Sequence, residues 1–155
     1  MKKILGITAV SFLLCAFTFN YNSNTFYQYE CIEIGNSSKI KIWSTQKGSK
    51  YNFNDALKNA VQLILFEGLN GDKCISQSPL LNSLESKDRF KKIEEDFFSK
   101  AGEYSNFVNL VSKASENRGV KKHNNITVYI ISVSTQQLQQ YLINKEIIQP
   151  LNQGF

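Results

Sequence analysis

A single histidine, two prolines, one methionine and one tryptophan in 155 residues remove several functional classes before any pattern is considered. With His123 alone, a histidine-built metal centre is not available, and a hydrolytic triad would have to be assembled on that one residue. No GxSxG elbow and no CxxC pair occurs. Glu67-Gly68-Leu69-Asn70-Gly71-Asp72 has the look of a glycine-rich loop, yet it follows an expected helix instead of preceding one. It therefore offers no helix N-terminus to a phosphate, and helix termination accounts for it. His123 lies in the polar stretch Lys121-Lys122-His123-Asn124-Asn125 and reads as a surface histidine in a solvated loop. Glu30 with Glu33, and Glu94-Glu95-Asp96, pair carboxylates by spacing, the second set on the charged face of an expected helix. Nothing marks either as an acid–base couple. The sequence thus assigns no catalytic residue, no metal ligand and no cofactor.

Long apolar runs are also missing, with one exception at the start. Lys2 and Lys3 precede a stretch from Ile4 to Phe19 without charge, shorter than the roughly 20 apolar residues that span a bilayer. This is the pattern of an export signal. Ala16-Phe17-Thr18 places small residues three before and directly before a cut, so residues 1–18 are expected to be the signal peptide. Residues 19–25 are a polar lead-in, and residues 26–155 form one globular domain with no stable membrane span after cleavage. Lipid anchoring at Cys15 is the weaker alternative, because Leu14 stands where lipoprotein processing wants a small residue.

Export changes two other readings. The formal charge of +5 falls to +3 once Lys2 and Lys3 leave. The remaining lysines alternate with acids, as in Lys87-Asp88-Arg89 and Lys91-Lys92-Ile93-Glu94. That is a solvated helix face, not a phosphate-tracking stripe, so nucleic acid is not expected as a partner. Beyond the signal, only Cys31 and Cys74 remain. In an oxidising compartment they are expected to form a disulfide between an early strand and the loop after the first helix.

Alternation of Tyr27, Tyr29 and Cys31 with Gln28, Glu30 and Ile32 predicts a strand from Phe26 to about Ile34. Gly35-Asn36-Ser37-Ser38 supplies a turn, and Lys39-Ile40-Lys41-Ile42-Trp43-Ser44 a second strand with Ile40 and Ile42 inward. Asn52 or Asn54 caps a helix bearing Leu57, Ala60, Val61 and Ile64, stopped at Gly68. Leu69 to Asn82 reads as a loop. Phe90, Ile93, Phe97 and Ala101 predict a helix over Lys87–Lys100, with Gly102 as its stop. Tyr104–Val111 fits both a helix and a strand, and a loop is expected over Ser112–Asn125. Ile126–Val133 is the strongest strand, β-branched and apolar on both faces, hence central in the sheet. Ser134 with Gln137 predicts a capping box for a final helix burying Leu138, Tyr141 and Leu142. The fold class is α+β: an antiparallel sheet of three to four strands against about three helices, in the order β-β-α-α-β-β-α.

Tyr27, Tyr29, Trp43 and Tyr51, with Phe53, cluster around the predicted hairpin. Such a set either stacks on sugars or forms a protein interface, or packs as core and edge-strand side chains. With Ile40 and Ile42 inward, Trp43 faces out or under another element.

Tyr29-Glu30-Cys31, Lys41-Ile42-Trp43-Ser44, Ala56-Leu57-Lys58-Asn59-Ala60-Val61, Leu65-Phe66-Glu67-Gly68, Asp96-Phe97-Phe98 and the closing Asn152-Gln153-Gly154-Phe155 resemble a family of small exported Bacteroidetes proteins without an assigned function. The resemblance covers nearly the whole chain beyond the signal. It implies an exported, periplasmic or secreted protein and favours a strand over Phe107–Val111, but it carries no activity. Together these readings lead us to expect a non-enzymatic accessory protein that binds another envelope or secreted protein. The alternative is a glycan or small-ligand module using the aromatics near Trp43.

Overall fold

Strand pairing follows the expected alternation. The computed structural model describes residues 27–45, 50–117 and 125–150. The signal peptide, Cys15, the lead-in, Phe26, His123 and residues 152–155 lie outside the described residues. β1 (Tyr27–Glu33) and β2 (Ser38–Ser44) form an antiparallel hairpin that pairs Tyr29 with Ile42 and Cys31 with Ile40. All four of these side chains thus lie on the helix-bearing face of the sheet. β6 (Asn125–Val133) pairs with β2 on one side and with β5 (Val108–Asn117) on the other. The sheet order is β1-β2-β6-β5, all antiparallel, and the β-branched run Ile126–Val133 occupies the inner position its composition calls for.

Helix α1 (Phe53–Gln62) starts at Asn52, whose Oδ1 accepts from the N–H of Asn54 at 2.9 Å and of Asp55 at 3.3 Å. Asp55 returns the bond to the Asn52 N–H at 3.0 Å, which completes a capping box. Past Gln62 the backbone widens into a π-helical turn, Leu63–Glu67, closed by the Gly68 N–H on the Leu63 carbonyl. Leu63, Ile64 and Leu65 are all fully buried there. The widening turns the Ile64 and Leu65 carbonyls toward the N–H groups of Leu80 and Leu81, at 3.1 and 2.9 Å, so no buried acceptor is lost. Gly68 itself has φ +79°, and a Cβ there would stand 2.3 Å from the Gln77 carbonyl oxygen. Only glycine fits this stop.

Four expectations are corrected. The segment 69–82 is not all loop: β3 (Leu69–Gly71) and β4 (Cys74–Gln77) form a small second sheet. The helix expected over 87–100 begins earlier, at α2 (Leu84–Lys91), and breaks before α3 (Glu94–Phe97). Ser83 and Ser86 make a reciprocal capping box at its start, a pairing hidden by the absence of Glu or Gln at the third helical position. The break lets both Phe97 and Phe98 turn onto Phe90, and Ala101 is left exposed. Within 104–111 a 3-10 turn, Glu103–Phe107, leads into β5, which matches the strand expected over Phe107–Val111 from Val108 onward and then runs to Asn117 through the polar stretch expected to be loop. Finally, Ser134 does not cap α4 (Thr135–Asn144) with its side chain. Its N–H bonds the Phe107 carbonyl at 2.7 Å, and the Asn36 carbonyl of the β1–β2 turn accepts from the Gln136 N–H at 3.1 Å. The hairpin turn thus serves the helix N-terminus that the serine was expected to serve.

The result is one α+β domain whose core unites Ile40, Ile42, Ile131 and Val133 of the sheet with Ala56, Ala60, Leu63–Leu65, Phe90, Phe97, Leu138 and Leu142 of the helices.

Candidate functional site

The two edges of the four-stranded sheet are treated differently. Along β1, the β3–β4 hairpin is pinned by the Cys31–Cys74 disulfide. The Asn70 N–H also bonds the Tyr29 hydroxyl at 3.3 Å, Lys73 pairs with Glu30 at 2.9 Å, and the Ser38 hydroxyl donates to Gln77 Oε1 at 3.2 Å. Gly71 lies against the Cys31 side chain, and Ile75 stands out from the hairpin 89% exposed. At the opposite edge β5, among the described residues, pairs with β6 alone and has no such hairpin tied to it. Its bulge between Leu110 and Ser112 presents Leu110 and Val111 at 42% and 53% exposure, two apolar side chains side by side on an unpaired edge.

The helix-bearing side of this edge carries Tyr51, Tyr104 and Tyr129. Tyr129 packs edge-on against Tyr51 with centroids 6.0 Å apart, and the Tyr51 hydroxyl accepts from Asn59 Nδ2 at 3.2 Å. Lys113 of β5 stands 5.9 Å over the Tyr129 ring and Lys58 of α1 5.6 Å over that of Tyr104. Desolvation by burial raises the Tyr51, Tyr104 and Tyr129 hydroxyls above the usual tyrosine value, and the Asp55 carboxylate adds to each shift. Tyr141 is raised too, first by desolvation and then by its bond to Glu103. A tyrosine held neutral in the fold stabilises it up to the ordinary value near 10, and that contribution is lost as pH climbs from there toward the folded-state value. Alkaline titration should therefore show tyrosinate absorbance rising together with loss of near-UV circular dichroism above about pH 10. Full tyrosine ionisation with the fold intact would contradict these placements.

A separate cleft of about 330 Å³ opens between the start of α2 and the segment after α4, lined by Asn82, Ser83, Arg89, Gln139, Ile148 and their neighbours. The Arg89 guanidinium spans its wall, donating to the Glu146 carbonyl at 2.6 Å and to Glu85 at 2.5 Å. Glu146 has φ +57°, and the Arg89 bond holds that turn. Removing it with Arg89→Ala should cost about 1 kcal/mol locally and speed hydrogen exchange at residues 146–148 about fivefold. Unchanged exchange there would show that the turn stands without Arg89.

The four aromatics singled out by sequence do not share a surface. Tyr27 and Tyr29 are half-buried on the helix-bearing face, the Tyr27 hydroxyl directed to Glu67 at 3.4 Å, and Tyr51 packs against Tyr129. Trp43 is on the other face beside Val128, 7% exposed, and Phe53 stands partly exposed at the start of α1. Glu30 and Glu33 are each held by a lysine, Lys73 and Lys39, and do not face one another as a couple. Among the described residues no three His, Cys, Asp or Glu side chains gather as a metal site, and no helix is long and apolar enough to cross a membrane. Sequence reasoning missed the β5 edge because Ser112-Lys113-Ala114-Ser115-Glu116-Asn117 has no apolar period. Comparison with family models, with curated proteins and with solved structures finds no match for this chain.

Proposed function

We propose that the chain is an exported accessory domain that binds another protein. Its N-terminal pattern, its disulfide and its resemblance to small exported proteins support the compartment. The observation that carries the binding reading is the asymmetry of the sheet: one edge guarded by a covalently pinned hairpin, the other ten residues long, unpaired among the described residues and bearing exposed Leu110 and Val111. Folded proteins ordinarily blunt such edges, since unpaired N–H and C=O groups recruit other strands. The glycan alternative has less to rest on, because a sugar platform needs exposed rings on one surface and Trp43 is buried.

The test is amine crosslinking in cells exporting the protein at native abundance, with the mature N-terminus determined by mass spectrometry. Discrete heavier species containing a second protein are expected. Recovery of the chain alone would overturn the reading.

A further inference from the structure

The hydrogen bond from the Ser134 N–H to the Phe107 carbonyl sets the phase of the β5–β6 ladder. In an antiparallel pair, residues alternate between exchanging bonds with the partner strand and pointing their backbone groups away from it. From Ser134 the even-numbered residues of β6 face β5, and their register partners beyond the bulge are Ser112, Ala114 and Glu116. Lys113 and Ser115 therefore direct their N–H and C=O groups to the open side. An incoming strand meets there donors and acceptors that take no partner among the described residues, with Leu110 and Val111 beside them.

Charge distinguishes what that strand should be. Lys113 and Lys58 lie on the helix-bearing side of the edge, each over a tyrosine ring, and among the described residues neither reaches a carboxylate within ion-pair distance. Asp55, whose carboxylate acts on the same tyrosines, accepts the Asn52 N–H in the α1 capping box and forms an ion pair with neither lysine. On the opposite face Glu116 is neutralised by Lys41 at 2.7 Å. A second copy of β5 brings another Lys113 to an edge already carrying two lysines outside any ion pair among the described residues, whereas acidic side chains would pair with them. We infer that the open edge of β5 receives an extended acidic segment of a partner protein by strand addition, its carboxylates toward Lys113 and Lys58 and its apolar side chains against Leu110 and Val111. The inference rests on the protein-binding reading above and specifies its surface and chemistry.

Proline separates edge from ladder. At Ser115 it removes an outward N–H and leaves the β5–β6 bonds intact; at Ala114 it removes a ladder bond. A photocrosslinking residue is placed at Val111 of the full chain in the exporting cell, and the captured peptide is sequenced. The expected peptide is acidic and comes from another protein. Ser115→Pro should lower its yield about tenfold without shifting the thermal midpoint, which Ala114→Pro does shift. Lys58→Glu with Lys113→Glu should lower the yield as strongly, and the double arginine variant should restore it. The charge variants keep the inference testable should Ser115→Pro fail to fold. Capture of a second β5, a peptide without acids, or yields indifferent to both sets of variants would overturn it. Crosslinking from Asn82 in the cleft with none from Val111 would overturn this inference and leave protein binding standing; no partner from either position would remove both.

Discussion

Breaking the Cys31–Cys74 bond should lower the unfolding free energy by about 4 kcal/mol. The two cysteines are 43 residues apart, and closing a loop of that length restricts the unfolded chain by this amount in the chain-entropy treatment. The Lys73–Glu30 pair is solvent-exposed, worth at most about 1 kcal/mol, and the other ties are the buried Leu69 side chain and two single hydrogen bonds, Asn70 N–H to the Tyr29 hydroxyl and the Ser38 hydroxyl to Gln77. Against a total of about 5–15 kcal/mol for a domain of this kind, the loss is a large fraction. Urea unfolding of the oxidised protein, the reduced protein and the Cys31→Ala, Cys74→Ala double variant checks it; a difference under about 1 kcal/mol would show that the bridge restrains neither state. The functional consequence follows from the edge it guards. With the hairpin released, β1 becomes a second uncovered edge, so the reduced protein should also self-associate more readily.

Phe90→Ala should cost about 3–5 kcal/mol, with Phe90→Leu far milder. The ring is fully buried and meets Phe66, Phe97 and Phe98 at centroid distances of 5.7, 5.2 and 6.2 Å, all edge-to-face. It thereby joins the π-helical turn to α2 and α3. Phe97 passes the contact on to Phe107, stacked at 6.3 Å, directly ahead of β5. The cavity left by alanine thus loosens the support of the edge proposed to bind. Denaturant unfolding gives the magnitude, and hydrogen exchange along β5 gives its reach; a loss under about 1 kcal/mol would mean the cluster collapses around the gap.

Legibility in the sequence tracked whether a segment's burial is set by its neighbours in the chain. Ile40 and Ile42 face the core, Asn52 caps α1, and Ile126–Val133 holds the inner strand, because alternation, capping and β-branching are local properties. The Phe107–Val111 region yielded only in part: the strand begins at Val108 while Phe107 closes a 3-10 turn. Gly68 stops the first helix as its type implies, but the π-helical widening before it depends on Leu80 and Leu81 arriving to take the freed carbonyls. Likewise Ser134 has the spelling of a cap, yet Asn36, almost 100 positions earlier in the chain, supplies an acceptor at that helix start.

By itself, then, the sequence determined the α+β class, the hairpin, the inner strand and the cysteine pair, since each is written in residue type and spacing within a few positions or in a count of two. Only tertiary structure decided that β5 extends through Ser112–Asn117, that Trp43 is buried apart from Tyr27, Tyr29 and Tyr51, and that one sheet edge is covered while the other is open. Those features arise from pairing between distant segments. A polar edge strand holds its shape through the backbone bonds of β6, and those bonds leave no mark on the side chains of β5.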